Sequence, residues 1–382
     1  MIVLIIVPFK LFDVFSDFTA QGDQPSSETA KSQKSGEPQT VQIAAFGDIM
    51  MHSPQIKAGQ QSDGSYDFSS FFKEIKPYIE IADIAIGNFE TTLAGSAKPY
   101  SGYPTFNSPD EITTTLKNAG VDVVSTANNH SMDTGPKGVV RTYQTMNEAG
   151  IKVAGTASSA EERKPVIIKQ KGITFAFLAY TEHTNGLPVP EDRPYLVNRI
   201  DSEQIAKDIK EAREMGAEFV CVSLHYGVEY QRQPNDMQLK VSRQALEDGA
   251  DVIFGSHPHV LQPMEKVTVN GKEKFIIYSM GNFVSNQKDP HTDEGIIVYV
   301  DVEKNPSNQD VQLKNVSYLP TFVHKYPQGG KTQYVILPTE TNQPSAIPNY
   351  PSLNRSKYQT TWDHTQKVIN EKGSFETFSL SK

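Results

Sequence analysis

Asp48, Asn88 with Glu90, Asn129 with His130, His225, and His257 with His259 are the side chains of this sequence best suited to chemistry. Carboxylate, amide and imidazole groups together form a mixed oxygen and nitrogen ligand set. Such a set suits a divalent transition metal (Mn, Fe or Zn) better than calcium. Each group alone also has an ordinary reading. Asp48 suits a turn or a helix cap, and Glu90 suits a solvated loop. Asn128 and Asn129 suit turns, and His130 suits a buried hydrogen-bonded position. His257-Pro258-His259 is the most distinctive, because its two imidazoles flank a residue that lacks a donor and stiffens the loop.

Placement raises the group above its members. Short apolar runs at 41–46, 81–86, 121–124, 219–224 and 251–254 read as strands, and each runs into one of these polar motifs. Ligands of open α/β sheets bind beyond the carboxyl ends of strands, so five such ends can converge on one site. Helices fit between the strands at 69–80, 111–119, 137–149, 202–215 and 237–247. The helix at 202–215 carries Ile205, Ile209 and Ala212 on one face. Hairpins are expected at 165–180 and 266–280, the latter turning at Asn270-Gly271. The expected fold class is therefore α/β with added antiparallel hairpins, in a domain spanning 41–304. Beyond 304 the chain is rich in Pro, Asn, Gln, Ser and Thr. It holds strand-like residues at 333–337 and a helical pattern at 360–371. Residues 305–382 read as an irregular extension packed on the domain.

Composition bounds the partners. The chain has 382 residues, 37% hydrophobic and 21% charged, and its 19 Phe and 16 Tyr supply the bulk of a core. The formal net charge is −9 and no basic block is present, which argues against nucleic acid and against a polybasic membrane surface. Cys221, the single cysteine, excludes an internal disulfide and a zinc site built from several thiolates. It lies in an apolar strand and reads as a small buried hydrophobe.

Residues 1–21 open with MIVLIIVPF, an apolar run far short of the ~20 residues that span a bilayer. Residues 22–40 contain no aromatic residue and no aliphatic residue larger than Ala30, and read as a flexible polar tether. An apolar tip, a tether and a globular domain form the order expected of an exported protein held at the cell membrane, with its domain on the extracellular face.

Taken together, GDIMMH at 47–52, GNFETTL at 87–93, ANNHSMDTG at 127–135, SLHYGVEY at 223–230, GADVIFGSHPHVLQP at 249–263 and IIYSMGNFVSNQ at 276–287 carry a family resemblance. Over residues 41–302 the chain resembles the calcineurin-like metallophosphoesterases, and more closely the CapA/PgsA-type poly-γ-glutamate capsule biosynthesis proteins. The resemblance implies a metallo-dependent phosphatase-like, four-layer α/β/β/α sandwich around one or two divalent metal ions. Asp48 and His259 would hold the first metal, and His225, His257 and Asn129 the second. His130 would be the general acid. The family's usual His two residues after the first Asp is replaced by Met50, and His52 is out of register to substitute. The usual bridging Asp falls at Asn88, so Glu90 is expected to supply the carboxylate.

Asp133 is expected either to orient His130 or to start a helix. Glu229 and Tyr230 are candidates to line the cleft, with Glu229 contacting substrate, and Asn282, at a strand end, is expected either to contact substrate or to take a turn role. His52, His183, His291, His324 and His364 form no pattern and read as ordinary surface or core residues, and the aromatic residues of 66–78 read as helix core. The function implied by the resemblance is synthesis, export or processing of an anionic polymer, poly-γ-glutamate, beside other membrane components of a synthase. A non-catalytic place in such a complex and a general phosphoesterase are the competing expectations.

Overall fold

A computed structural model describes residues 37–340 and 348–380. The expectations for 1–21, and for all of 22–40 except its end, lie outside the described residues. Residues Gln39 and Thr40, placed in the tether from sequence, already belong to the first strand. Among the described residues no helix is long and apolar enough to cross a membrane.

The first half alternates strand and helix. It runs through β1 (Gln39–Ile49), α1 (Ser53–Gly59), α2 (Ser69–Phe72), α3 (Lys76–Glu80), β2 (Ile84–Phe89), α4 (Glu111–Asn118), β3 (Val123–Ser125), α5 (Gly135–Glu148) and β4 (Lys152–Ala154). The single helix expected over 69–80 is two short ones. Pro77, without a donor, fits the opening turn of a new helix better than the middle of an old one. Next come β5 (Val166–Gln170), β6 (Ile173–Thr181), α6 (Ser202–Glu214), β7 (Phe219–His225), α7 (Asp236–Glu247), β8 (Val252–Ser256), β9 (Met264–Val269) and β10 (Lys272–Ile277). The chain finishes with β11 (Asn282–Val284), β12 (Glu294–Lys304), β13 (Val311–Gln328), β14 (Lys331–Pro338), α8 (Arg355–Ile369) and β15 (Glu376–Thr377).

These strands make two sheets. One has the order β14-β13-β12-β1-β2-β3-β4, with β11 beside β1 and β15 beside β13; the other is β5-β6-β7-β8-β10-β9. Strands β1 to β4 are mutually parallel, as are β6, β7, β8 and β10. Alternation along each strand explains the layers. Val41, Ile43 and Ala45 of β1 share one apolar cluster with Phe219 and Cys221 of β7 and Val252 and Phe254 of β8, so the sheets pack face to face. Ala44 and Phe46 point the other way, toward Phe71, Phe72, Ile112 and Leu116 of the first helical layer. Val220 and Val222 of β7 meet Ile205, Ile209 and Ala212 of α6 and Val241 and Ala245 of α7. Strands buried on both faces read as unbroken apolar runs, which is why they were visible in the sequence. Each such Val, Leu, Ile or Phe contributes about 2 kcal/mol of burial. The fold is the expected four-layer α/β/β/α sandwich.

The irregular extension expected after 304 is corrected. Strand β13 has 18 residues, pairs with β12 from Lys304↔Val311 to Glu294↔Phe322, and carries β14 on its other edge. Leu313, Val316 and Tyr318 enter the core between the sheets, and Leu319, Val323, Tyr334 and Ile336 enter the cluster under the first helical layer. Helix α8 follows, and Val368 and Ile369 at its end, with Phe375 beyond, join the inter-sheet core.

Candidate metal centre

Sheet pairing sets the site. Asp48 of β1 is in register with Asn88 of β2 on one side and Asn282 of β11 on the other. In the second sheet, His225 ending β7 is in register with Ser256 ending β8. A register shift at Phe46/Asp48 marks Gly47, where a Cβ would fall 1.8 Å from the carbonyl oxygen of Gly281. Only glycine permits that approach, and it lets β11 reach the end of β1.

The two sheets supply different chemistry. Carboxylates and amides come mostly from the first and imidazoles mostly from the second. Asn88 Nδ2 lies 2.8 Å from Asp48 Oδ1, 3.4 Å from Glu90 Oε2 and 3.2 Å from His225 Nδ1. His225 Nε2 is 3.0 Å from Asn129 Oδ1 and 3.2 Å from His257 Nδ1, and Ser256 Oγ stands 3.0 Å from its Nδ1. His259 Nδ1 is 3.0 Å from Asp48 Oδ2 and 3.1 Å from Asn282 Oδ1. Its Nε2 is 3.8 Å from Glu90 Oε1 and 4.0 Å from Glu229 Oε1. Asp48, Glu90 and His225 form one set whose ligand atoms lie within 4.8 Å of one another, and Glu229, His257 and His259 form a second. Thus Asp48, Asn88, Glu90, Asn129, His225, His257 and His259 all meet, although the sets cross the pairing implied by the family resemblance.

The electrostatics favour a cation. Asp48, Glu90, His225, His257 and His259 are all buried. Burial raises the Glu90 carboxyl well above its ordinary range, and the neighbouring Asp48 adds to the effect. Burial also holds His225 and His257 well below the ordinary imidazole value; nearby His257 and His259 act in the same direction on His225, and His259 and His183 on His257. They are therefore in the neutral form that offers a lone pair. Asn88 Oδ1 and Glu90 Oε1 are buried without a hydrogen-bond partner. Unpaired buried oxygens are costly, and here both sit inside the ligand cluster. Two adjacent carboxylates, neutral imidazoles and orphaned oxygens make a donor set that a divalent metal satisfies. The backbone is strained at the same place, for His257 and His259 have φ of 98° and 59°, and Tyr230 has 67°.

His130 is buried beside this cluster. Its Nδ1 lies 2.8 Å from Asp133 Oδ2, and Phe106 stands edge-on at 4.7 Å between ring centres. Asp133 Oδ2 also accepts the Phe106 N–H at 2.7 Å, and the residue preceding α5 is Thr134, so Asp133 orients His130 and does not cap the helix. Glu229 is half-exposed at the mouth. Asn282 is not the substrate contact expected. Its buried amide donates to Gln287 Oε1 and to the Thr292 carbonyl, both at 2.8 Å, and its Oδ1 faces His259, so it positions that ring.

Two histidines passed over in the sequence are here. His183 stands edge-on to His257 with ring centres 5.2 Å apart. It follows β6, whose parallel run beside β7 places its end in the same row. That row was the available signal, hidden because 165–180 reads first as a hairpin. His52 accepts the Asn286 N–H at Nδ1 (3.2 Å) and packs on Phe106. Burial lowers its pKa to about 4, and nearby His259 and His130 act in the same direction.

The family described as bacterial capsule synthesis protein PGA_cap matches residues 42–287. The chain is 33% identical over 271 residues to the PGA biosynthesis protein CapA of Bacillus subtilis (strain 168), covering 69% of each chain. It is 28% identical over 290 residues to the capsule biosynthesis protein CapA of Bacillus anthracis, covering 73% of this chain and 68% of that one. Among solved structures, it is similar to the NAD nucleotidase of Haemophilus influenzae, with a TM-score of 0.48 and 10% identity over 91% of this chain and 59% of that one. A 5′-nucleotidase from Staphylococcus aureus gives a TM-score of 0.48 and 13% identity, over 86% of this chain and 58% of that one. The extent of the family match and the identity to the first relative lead to one conclusion: this chain is a member of the PGA_cap family of bacterial capsule synthesis proteins.

Proposed function

We propose that this protein acts in PGA capsule synthesis as a metal-dependent hydrolase-like centre, tethered through its N-terminus at the extracellular face of the cell membrane, with poly-γ-glutamate or its precursor as substrate and other membrane components of a synthase as partners. Membership of the family supports the pathway. The observation that carries the chemistry is the pair of orphaned buried oxygens, Asn88 Oδ1 and Glu90 Oε1, inside a ring of carboxylate and imidazole ligands drawn from both sheets.

Asp48, Asn88, Glu90, Asn129, His225, His257 and His259 are the residues that would hold one or two divalent ions. A bound divalent ion supplies positive charge that polarises a carbonyl or phosphoryl oxygen and acidifies water. The protein does the rest. Asp133 fixes the His130 ring through Nδ1, which leaves Nε2 to hand a proton to a leaving group in the cleft. Ser256 and Asn282 hold His225 and His259 in orientation, the support that ligating imidazoles need. Phe106 walls His130 from water on one side.

A second reading, a non-catalytic part of a polymer synthase, is favoured by one observation. Asn88, where the resemblance expects a bridging carboxylate, turns a donor toward Asp48 and Glu90. Cells lacking the native protein and carrying Asp48→Ala or His257→Ala separate the two. Loss of polymer with the variant folded and present at normal level supports catalysis; unchanged polymer output refutes it and leaves the non-catalytic role.

A further inference from the structure

Behind the wall that Asn282 braces lies a cavity of about 530 Å³, open to solvent and lined by residues 287–293, by Val323 to Lys325 of β13 and by the approach to α8. The wall is shared with the metal centre. Gln287 and Thr292 line the cavity, and both accept from the Asn282 amide whose oxygen faces His259. Gln287 Nε2 also reaches the Tyr230 hydroxyl at 3.5 Å, and Tyr230 stands at the mouth of the centre beside His259.

Three lysines line this cavity, and they are not equivalent. Lys357 is committed, with Asp293 Oδ1 and Glu294 Oε1 each 2.9 Å from its Nζ. Lys288 is exposed. Lys325 is half-buried and donates to the Gln287 carbonyl oxygen at 2.8 Å, and among the described residues no carboxylate forms an ion pair with it. Burial lowers its pKa, while Asp293, the acidic group that opposes the effect, is already bound to Lys357. An ammonium drawn partly out of water without a counter-charge is unfavourable, and an anion entering the cavity removes the cost.

We propose that this cavity is a second subsite of the same reaction centre, binding a carboxylate of a polyanionic chain through Lys325 with help from Lys288, while another part of the chain occupies the metal centre. The inference rests on the polymer substrate proposed above. It explains how a protein of net charge −9 holds a polyanion: in a lining where Asp293 is neutralised by Lys357 and Asp289 is the other carboxylate, the chain meets Lys325 and Lys288, and the overall charge matters less.

Calorimetric titration of the full chain with γ-linked glutamate oligomers tests it. The expected result is binding that weakens with salt, about tenfold weaker in Lys325→Gln and near wild type in Lys325→Arg. Melting curves of both variants establish that they are folded. Equal binding to wild type and Lys325→Gln overturns the subsite while leaving the polymer substrate standing. Absence of binding to the wild type overturns both. Displacement of the oligomer by equimolar inorganic phosphate shows a general anion pocket and overturns the polymer assignment of the cavity.

Discussion

His259 Nδ1 and Asp48 Oδ2 lie 3.0 Å apart, although they are 211 positions apart in the chain and Asp48 belongs to a strand of one sheet while His259 follows a strand of the other. The contact between His225 Nε2 and Asn129 Oδ1 crosses the same boundary. The centre therefore exists only when the two sheets are docked, and a cation bound there ties folding to metal occupancy.

Chelation is expected to destabilise the protein. A ligand at 100 times its dissociation constant adds about 2.7 kcal/mol. Exhaustive treatment with a chelator lowers Tm by several degrees, and Mn or Zn restores it. A Tm indifferent to both contradicts coupling between the centre and the fold.

Glu90 is unfavourably placed without a cation, because it is buried and stands against Asp48. Glu90→Gln removes one of two crowded carboxylates at almost constant volume. Metal-free stability should rise by about 1 kcal/mol or more, while the stabilisation by added metal is lost. Urea unfolding of both proteins with and without metal checks this. A less stable metal-free variant contradicts the assignment.

Asp133→Asn keeps an acceptor for the Phe106 N–H but loses the charge that holds His130. Turnover of a γ-glutamyl oligomer is expected to fall about 100-fold with metal content unchanged. The pH dependence of the residual turnover should change as well, which a purely structural residue would not cause. Equal activity refutes the proton-transfer role of the pair.

Glu294 ties α8 to the sheet. Its buried carboxylate meets Lys357 at 2.9 Å, His291 at 3.2 Å and His364. Burial pushes its pKa up, but the contacts with His364 and Lys357 outweigh burial and hold it below the usual carboxylate range. A depressed folded-state pKa adds stability that is present above the unfolded value and lost as pH falls through the folded one. Hydrogen exchange in α8 should therefore accelerate below about pH 4, the unfolded Glu value. Glu294→Gln should cost about 3 kcal/mol at neutral pH and flatten that acid dependence. Unaltered exchange at pH 3 contradicts the role of this carboxylate.

The strand ends were legible because each doubly buried strand is an apolar run that stops abruptly at a polar motif, as at Phe46-Gly47-Asp48 and Phe254-Gly255-Ser256-His257. Strand β13 was not. Pro320, Pro327 and its scattered polar residues break the apolar pattern, yet Pro327 lies at the exposed end and Pro320 beside the point where pairing to β14 stops at Thr321↔Pro338. Asn282 was legible as a site residue but not in its role, since only the backbone path of 287–292 reveals that its amide is already spent. His183 carries no local motif, and His52, which closes GDIMMH, is out of register with the histidine the resemblance expects. What brings them in is the parallel pairing of β6 with β7 and the packing of Phe106, both long-range.

Metal analysis of protein purified without chelators, together with anomalous scattering from its crystals, tests the central claim most directly. The account predicts one or two divalent transition-metal ions among Asp48, Glu90, His225, His257 and His259, lost in folded His257→Ala. Crystals grown with Mn or Zn that show no anomalous peak among these side chains would contradict it.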